Sequence, residues 1–561
     1  MKYFLKEKFR NFYNILSHIK YFFKFQKLLL KLKELQYLVD NAESENDKVV
    51  IFNMVRTYIF IQLFIEIIFA LKLKQRGYKV VVLYDDGIML HHETLTKNDL
   101  NPYRRYYILR EKVTIYLLQK IPSIGELLVS YSTFDIEVLD SEVQELINKQ
   151  FIYNNIDLFE YIEASLVRFF LSAPDKKLLE KEEDYDKALL FFTKNALLSY
   201  KVAEASIDSY NPNLMITSHG IYSTWGVFMK KYLQKNIKVV SYGGNGYVVD
   251  AIDFGINDVA ANKIDNGFFN DWVKSLDRKT TNKFINLADN TMKNRFSGKS
   301  ADTGRIKNYV GNSQNQNIEK IKLLKRESKQ VFAIFPNVMW DNATTFKEWN
   351  TIFSSPIEWL IETVRYFMEQ NDKVLVIRVH PAEYLWMEVR VSIKDILQEY
   401  FGNIIFQNKN IIFIPPNEKI LSYELFPLLN AGIVYNGTIG LELMYQNIPL
   451  IMGARTAYSY KNFTKDLKDK SEYFTAFENS NEILKKQQDG KLLLKLFIYE
   501  YFYIHGVPLK ILSKINLLEP NFEGKIEKIW KDENLTFILD VIEDKRKYFQ
   551  EWDTVNENFN N

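Results

Sequence analysis

The sequence contains no cysteine, so disulfide bonds and thiolate metal sites are excluded. Histidine is also scarce, with only six among 561 residues. No uninterrupted apolar stretch reaches the length of a signal-peptide core or a membrane span. Because a chain without cysteine suits a reducing compartment, we expect a cytoplasmic protein. Peripheral attachment to the inner face of the cytoplasmic membrane is a further option.

Basic and acidic residues are nearly equal in number, which gives a net charge of +3. The charge is unevenly distributed along the chain. Residues 1–40 carry +6, so the remainder carries −3. A slightly acidic body without a basic stripe argues against a nucleic-acid partner. Residues 1–46 form a basic amphipathic segment with apolar residues at helical spacing. Such a helix either lies on an anionic membrane surface or packs on the protein's own body, and the sequence favours neither.

The chain is too long for one hydrophobic core, and apolar strands alternate along it with helices. This alternation predicts an α/β fold with open parallel sheets, in which ligands bind at the carboxyl ends of the strands. The apolar helix Thr57–Gly77 contains Gln62 and Glu66, which favours a buried helix over a membrane span. The predicted parts are a helical segment (1–46), an N-terminal α/β domain (47–260), a connector (261–327), a C-terminal α/β domain (328–480) and C-terminal helices (481–561).

One strand of the second α/β block, "KVLVIRVHP", ends in Arg378, His380 and Pro381. Residues two apart in a strand point to the same side, so Arg378 and His380 are expected to face together. An imidazole at a strand end can bind phosphate oxygens or transfer a proton. The alternative is an ordinary strand end with a hydrogen-bonded histidine.

A later strand, "AGIVYNG", leads through the turn 436–440 into a helix that contains Glu442. Small residues in the turn let a ligand approach the backbone, and helix N–H groups favour an anion. Taken alone, this pattern also fits a plain strand, turn and helix. Near the first strand of the same block, Asp341 in "FPNVMWDNATTF" is a candidate general base, and an Asx turn is its alternative.

The N-terminal block has its densest polar cluster in "YDDGIMLHHETL". Asp85 and Asp86 end a strand, and a solvated turn is the alternative to a catalytic role. His91 and His92 do not suggest a metal site, because adjacent side chains point in different directions. We expect an acceptor site lined by Asp85 and His91 of this cluster and by polar and small residues at later strand ends, namely His219, Gly243, Gly244 and Asn245.

The order of the "HP" strand end, a further strand and the "GTIGLE" turn resembles the donor-binding domain of GT-B glycosyltransferases. It resembles in particular the capsule polysaccharide group that includes Kdo-transferase-like enzymes, over about 330–462. The pairing of an acidic "DDG" motif with "HP" is similar to bacterial sialyltransferase-like enzymes. The resemblance implies two facing Rossmann-like domains with a cleft between them, and no metal for the transfer step.

The resemblance also implies roles for individual residues. His380 and Arg378 would contact phosphate, as would the turn residues Asn436, Gly437, Thr438 and Gly440. Glu442 would contact ribose, and Asp86 or Asp341 would be the base.

The implied function is transfer of a sugar from a nucleotide sugar, CMP- or UDP-linked, to a capsule or lipopolysaccharide glycan in bacteria. The partners would be the nucleotide sugar and a glycan or lipid-linked acceptor, with no separate cofactor. Two alternatives stay open. One is a nucleotide-sugar 2-epimerase or polyol-phosphate transferase of the same fold, and the other is a non-catalytic scaffold of polysaccharide assembly.

Overall fold

The computed structural model describes residues 10–36, 38, 47–54, 60–89, 104–244, 251–260, 268–299, 315–341, 347–385, 389–512, 521 and 523–546. The chain forms two compact units. The first unit comprises Met1–Tyr161, Phe191–Ala261 and Gly506–Asn561, and the second comprises Ile162–Leu190 and Asn262–His505. The predicted domains follow one another along the sequence, whereas these units interleave.

The strands of both units are short, as is usual for α/β proteins. They are β1 (Val49–Met54), β2 (Lys79–Tyr84), β3 (Leu128–Ser130), β4 (Ile152–Tyr153), β5 (Ile156–Asp157), β6 (Leu214–Ser218), β7 (Lys238–Gly244), β8 (Ala251–Ile256), β9 (Gln330–Phe335), β10 (Lys373–Arg378), β11 (Ile411–Ile414), β12 (Ala431–Val434), β13 (Leu450–Met452) and β14 (Gly506–Pro508).

Helices fill most of the remaining described chain. The α-helices are α1 (Arg10–Gln36), α2 (Phe60–Gln75), α3 (Arg104–Leu118), α4 (Pro122–Gly125), α5 (Asp140–Asn148), α6 (Phe159–Phe170), α7 (Lys176–Leu179), α8 (Tyr185–Tyr210), α9 (Val227–Gln234), α10 (Phe268–Ser275), α11 (Arg278–Phe296), α12 (Gln316–Arg326), α13 (Pro356–Met368), α14 (Ala382–Leu385), α15 (Ile393–Phe401), α16 (Ser422–Leu425), α17 (Ile439–Tyr445), α18 (Lys470–Thr475), α19 (Ser480–Asp489), α20 (Lys491–Tyr499), α21 (Ile526–Trp530) and α22 (Glu533–Ile542). Tighter 3-10 turns lie at Tyr131–Phe134, Lys347–Trp349, Gly402–Gln407 and Phe426–Leu428, and π-helical turns at Tyr222–Gly226 and Glu500–Ile504.

The first unit is built on a seven-stranded sheet in the order β14–β8–β7–β6–β1–β2–β3. Strands β7, β6, β1, β2 and β3 are parallel, while β8 and β14 add an antiparallel edge. The parallel arrangement of β1, β2, β6 and β7 confirms the α/β prediction. The sequence did not predict β3, β8 and β14, because these strands at or next to the edges of the sheet lack the continuous apolar run of a strand covered on both faces.

The second unit contains a five-stranded, fully parallel sheet in the order β11–β10–β9–β12–β13. Every residue of β10 and β12 is buried, which explains their near-continuous apolar sequences. The core on this sheet centres on α13, which begins at a Ser355 N-cap followed by Pro356. All five strands were predicted, so the second α/β block is confirmed.

Helix α2 is buried along almost its whole length against the first sheet, as predicted for the apolar segment that contains Glu66. Within the described part of the chain, no helix combines the length and apolar character that a membrane crossing requires. Helix α1 packs on the protein's own body through a buried apolar stripe. That stripe comprises Tyr21, Phe25, Leu28, Leu32 and Leu35.

Candidate functional site

Polar residues follow three adjacent strands of the second sheet, β10, β9 and β12. His380 lies just beyond β10, Asn337 just beyond β9, and Asn436 and Gly437 just beyond β12. Neighbouring strands are about 4.8 Å apart, so these residues share one carboxyl edge, with β9 between His380 and Gly437. Parallel α/β sheets bind ligands at this edge.

His380 is solvent exposed, and its hydrogen bonding defines which nitrogen carries the proton. The backbone N–H of Ala382 donates to His380 Nδ1 at 3.0 Å. Although part of the residue is exposed, desolvation by the surrounding protein, followed by the charge of the nearby Arg378 guanidinium, lowers the pKa of His380 to about 4. The imidazole is therefore neutral at pH 7, with its proton on Nε2. It can donate a hydrogen bond to a ligand oxygen without carrying a charge.

Asn337 and Asn436 join the ends of β9 and β12. Asn337 Nδ2 donates to Asn436 Oδ1 at 2.7 Å. A Cβ added to Gly437 would meet nothing closer than 3.9 Å, and the second-nearest atom would be Asn337 Oδ1 at 4.0 Å. Packing therefore does not require glycine at 437, and the missing side chain leaves open space beside the two amides. Thr438 is also half-exposed there.

Gly440 has a different role from Gly437. A Cβ at Gly440 would lie 2.3 Å from the hydroxyl oxygen of Tyr458. That hydroxyl donates to the carbonyl oxygen of Gly437 at 2.9 Å. Gly440 thus lets Tyr458 approach and hold the turn. It is buried, so in this state its contribution to a ligand site is indirect.

The two charged residues predicted beside the ligand are engaged with protein groups. Arg378 is 2% exposed and donates to the carbonyl oxygens of Pro415 and Ile420, each at 2.8 Å. Glu442 is 3% exposed and forms a buried ion pair with Arg295, with Nη2–Oε1 at 2.6 Å and Nε–Oε1 at 2.8 Å. Direct contact of either with phosphate or ribose stays a prediction.

In the first unit, Asp85 and Asp86 follow β2 and have distinct environments. Asp85 is buried, and its Oδ1 accepts from the N–H groups of Gly87, Ile88 and Met89 at 3.0–3.2 Å. This carboxylate shapes the turn, in which Gly87 has a φ of +104°. Asp86 Oδ2 accepts from the Ser132 hydroxyl, whereas Oδ1 is buried and has no hydrogen-bond partner among the described residues.

Asp86 lines a cavity of about 250 Å³ between the end of β2 and helix α3. Burial, followed by the charge of Asp86, raises the pKa of Tyr84 in the same wall. Helix α3 contributes the other polar walls. The lining residues are Tyr84, Asp85, Asp86, Gly87, Glu111, Lys112, Ile115, Tyr116 and Gln119.

His219 lies at the end of β6, separated from β2 by β1. Its φ of +54° is unusual for a residue with a side chain, and its ring stacks on Trp225 at 5.2 Å. Ser218 Oγ hydrogen-bonds His219 Nδ1. The strained backbone and the adjoining π-helical turn are features that cluster at functional sites.

Gly243 and Gly244 are the last residues of β7, where they pair with Asp253 and Ile252 of β8. Asp341 is exposed in the second unit, and its N–H donates to the carbonyl oxygen of Val338 at 3.0 Å. His91 and Asn245 lie outside the described residues. Among the residues that the structure describes, no group of three or more acidic or histidine side chains could hold a metal ion.

No protein-family model matches the sequence, and no curated protein matches it. Among solved structures, KpsC, a beta Kdo 2,7 transferase of Thermosulfurimonas dismutans, is 8% identical with a TM-score of 0.30, over 56% of this chain and 84% of that chain. The UDP-GlcNAc 2-epimerase of Methanocaldococcus jannaschii with UDP-GlcNAc and UDP is 12% identical with a TM-score of 0.24, over 54% and 80%. S. aureus MnaA with UDP is 10% identical with a TM-score of 0.24, over 82% and 95%. At such TM-scores these likenesses carry no functional argument, and the α/β fold class stands on the two sheets themselves.

Sequence reasoning missed several residues of the two sheet edges. Asn337 comes two residues after β9, so the strand-end rule that selected His380 could have found it. Glu383, 9% exposed, accepts from the Ile393 N–H, and burial raises its pKa to about 8. No local sequence signal indicates that Ser132 would donate to Asp86, because the two lie 46 residues apart.

Proposed function

We propose that the chain is a glycosyltransferase that moves a sugar from a nucleotide sugar to a surface glycan of the capsule or lipopolysaccharide type. The acceptor would be a glycan or lipid-linked glycan at the inner face of the cytoplasmic membrane. The observation that carries the proposal is the Asp86 carboxylate in a 250 Å³ cavity at the carboxyl edge of a parallel sheet. That cavity offers space for one sugar unit beside a potential base.

Asp86 would act as the general base. Ser132 fixes one carboxylate oxygen, and the turn organised by Asp85 fixes the backbone. The other oxygen, Oδ1, is buried and has no partner among the described residues, so it would have to be uncovered as an acceptor hydroxyl enters and bonds to it. As the acceptor oxygen bonds to the anomeric carbon of the donor, its proton passes to Asp86 and the bond from that carbon to the phosphate oxygen breaks.

The carboxyl edge of the second sheet would bind the donor. His380 Nε2–H and the amide of Asn436 are suited to donate to phosphate oxygens, and the open surface at Gly437 leaves room for them. Because His380 is neutral at pH 7, it would stabilise the departing phosphate through a hydrogen bond rather than through a charge. The nucleotide sugar is a co-substrate, so the proposal needs no additional cofactor.

The test is incubation with CMP-, UDP-, GDP- and CDP-sugars, with and without glycan acceptors extracted from capsulated or lipopolysaccharide-bearing bacteria. Nucleotides that raise the melting temperature are tested first, because ligands that bind the native state stabilise it. We expect nucleotide release that depends on the acceptor. Asp86→Asn should lower kcat by about 10²- to 10⁴-fold, the range for a general base.

Asp208→Asn is the matched control, since Asp208 is exposed and outside both sheet edges. It should keep wild-type turnover. Conversion of a nucleotide sugar to its epimer without acceptor would show that the protein is a 2-epimerase and not a transferase. Tight nucleotide binding with no turnover in any combination would indicate a scaffold, and unchanged turnover in Asp86→Asn would remove Asp86 as the base.

A further inference from the structure

Helix α1 has a second face opposite the one that packs on the first unit. Successive helical residues are rotated by roughly 100°, which places Ile19, Phe23 and Leu30 within roughly 40° of one another. This direction is nearly opposite to that of the buried stripe. The three side chains are 48%, 66% and 62% exposed. Large apolar residues so exposed on one line are typical of a surface that contacts a partner or a membrane.

Lysines flank this apolar line on both sides. Lys20 and Lys27 lie on one side and Lys33 on the other, and all three are exposed. Glu34 is the only acidic residue in Ile19–Leu35, the part of α1 whose side chains the structure describes. An apolar ridge between lysines fits the boundary of an anionic bilayer, where apolar groups enter the acyl region and ammonium groups meet phosphates.

The buried face of α1 fixes where such a surface would lie relative to the Asp86 cavity. Tyr21 packs on α3, with its hydroxyl 2.7 Å from Thr114 Oγ1 and the Arg110 guanidinium 4.4 Å from its ring centroid. The adjoining face of α3 lines the cavity through Lys112, Tyr116 and neighbouring residues. One helix thus separates α1 from the cavity, a spacing of about 10 Å.

We propose that the ridge of Ile19, Phe23 and Leu30 with Lys20, Lys27 and Lys33 docks the protein on an anionic lipid bilayer. In this orientation α1 and α3 both lie between the bilayer and the Asp86 cavity, a distance of about 20 Å for two helix layers, which the glycan of a lipid-linked acceptor would have to span while its lipid stays in the bilayer. The docking follows from α1 alone, and only the identity of the acceptor rests on the proposed function.

The test is flotation of the full chain with vesicles of pure phosphatidylcholine or of phosphatidylcholine with 30% phosphatidylglycerol. We expect binding to the anionic vesicles only, and loss of binding at high salt. The triple variant Lys20→Gln/Lys27→Gln/Lys33→Gln should bind at least tenfold more weakly, as should Ile19→Ser/Phe23→Ser/Leu30→Ser. The matched control Lys149→Gln/Lys230→Gln/Lys235→Gln, with the same charge change at exposed lysines, should bind like wild type.

Phe23→Trp provides a second measurement that avoids a destabilising substitution. The fluorescence emission of the tryptophan introduced at position 23 should shift to the blue when anionic vesicles are added. Equal binding by all variants, or no shift, would overturn the proposal. A third outcome would also overturn it: the wild-type protein does not bind vesicles but forms a concentration-dependent dimer, and the Ile19→Ser/Phe23→Ser/Leu30→Ser variant stays monomeric. A second copy of the chain would then cover the ridge. Vesicle binding without any sugar transfer would leave the docking intact and refute the proposed function alone.

Discussion

His380 accepts a hydrogen bond at Nδ1, which leaves Nε2–H as the only donor of the ring. We predict that His380→Ala weakens binding of the nucleotide with the largest thermal shift by about tenfold, equivalent to one hydrogen bond of ~1.4 kcal/mol. His380→Gln should retain most of the affinity, because a glutamine amide can donate from a similar position. Calorimetric titration measures both.

The pH dependence separates hydrogen bonding from proton transfer at His380. With its pKa lowered to about 4, the imidazole stays neutral from pH 6 to 8. The affinity ratio of wild type to His380→Ala should therefore be constant over that range. A ratio that increases as the pH falls through 6.5 would show that the imidazole becomes charged, contrary to this assignment.

Glu383 makes stability depend on pH with a definite sign. Burial raises its pKa from 4.5 to about 8, so between these values the folded state holds a proton that the unfolded state releases. The free energy of unfolding should therefore fall as the pH rises from about 4.5 to 8. Glu383→Gln removes this contribution, so its melting temperature relative to wild type should increase from pH 5 to about 8 and then level off.

The comparison with wild type is needed because a second carboxyl behaves in the same way. Glu66 in α2 is 2% exposed, and burial raises its pKa to about 8 while the Tyr242 hydroxyl donates to it at 2.7 Å. Its contribution is common to both proteins and cancels in the difference. A difference in melting temperature that does not change with pH would show that Glu383 is ionised in the folded protein.

At the scale of elements, the Arg295–Glu442 ion pair connects α11 to α17. Removing one member of a buried pair leaves the other charge without its counterion, which typically costs about 3–5 kcal/mol. Glu442→Gln should lower the free energy of unfolding by about that amount, measured with urea. Glu319→Gln, which breaks the exposed Glu319–Lys322 pair, should cost less than ~1 kcal/mol. Loss of nucleotide affinity in Glu442→Gln at temperatures where it remains folded would support the predicted ribose contact.

The contact of α13 with α18 depends on a buried hydroxyl. Trp359 Nε1 donates to Tyr473 Oη at 2.8 Å, and Thr363 Oγ1 lies 2.8 Å from the same oxygen. Tyr473→Phe keeps the ring but leaves the indole N–H without an acceptor, at an expected cost of about 1–3 kcal/mol. Urea unfolding measures this cost, and a change below ~0.5 kcal/mol would mean that the cluster rearranges to satisfy Trp359.

The strands that were predicted correctly from the sequence share one physical property. Strands β9 to β13 and β1, β2, β6 and β7 are covered on both faces, and their apolar runs are visible in one sequence. The partners of Arg378 were not predictable, because its acceptors at Pro415 and Ile420 lie in a loop brought close only by the pairing of β10 with β11. The two alternatives for α1 could not be separated, since a basic amphipathic pattern fits docking on protein and on lipid alike.

At the scale of the whole molecule, the C-terminal segment is part of the first unit. Strand β14 pairs with β8, and Lys238 at the start of β7 donates to the carbonyl oxygen of Ile542 at 2.7 Å. Arg76 forms an ion pair with Asp540 at 2.9 Å. A chain that stops at His505 should therefore lose cooperative unfolding of the first unit and aggregate. A chain that stops at Arg546 keeps these contacts, so its first unit should still unfold cooperatively in calorimetry.

The position of β14 also has a consequence for biosynthesis. Roughly 250 residues separate β8 from the strand that completes its edge. At about 5–20 residues per second, a ribosome needs roughly 12 to 50 s to make that stretch. During this time one edge of β8 presents unpaired backbone groups while the second unit, which ends at His505, is still being synthesised. The nascent chain is therefore expected to need chaperone protection at that edge until translation nears its end.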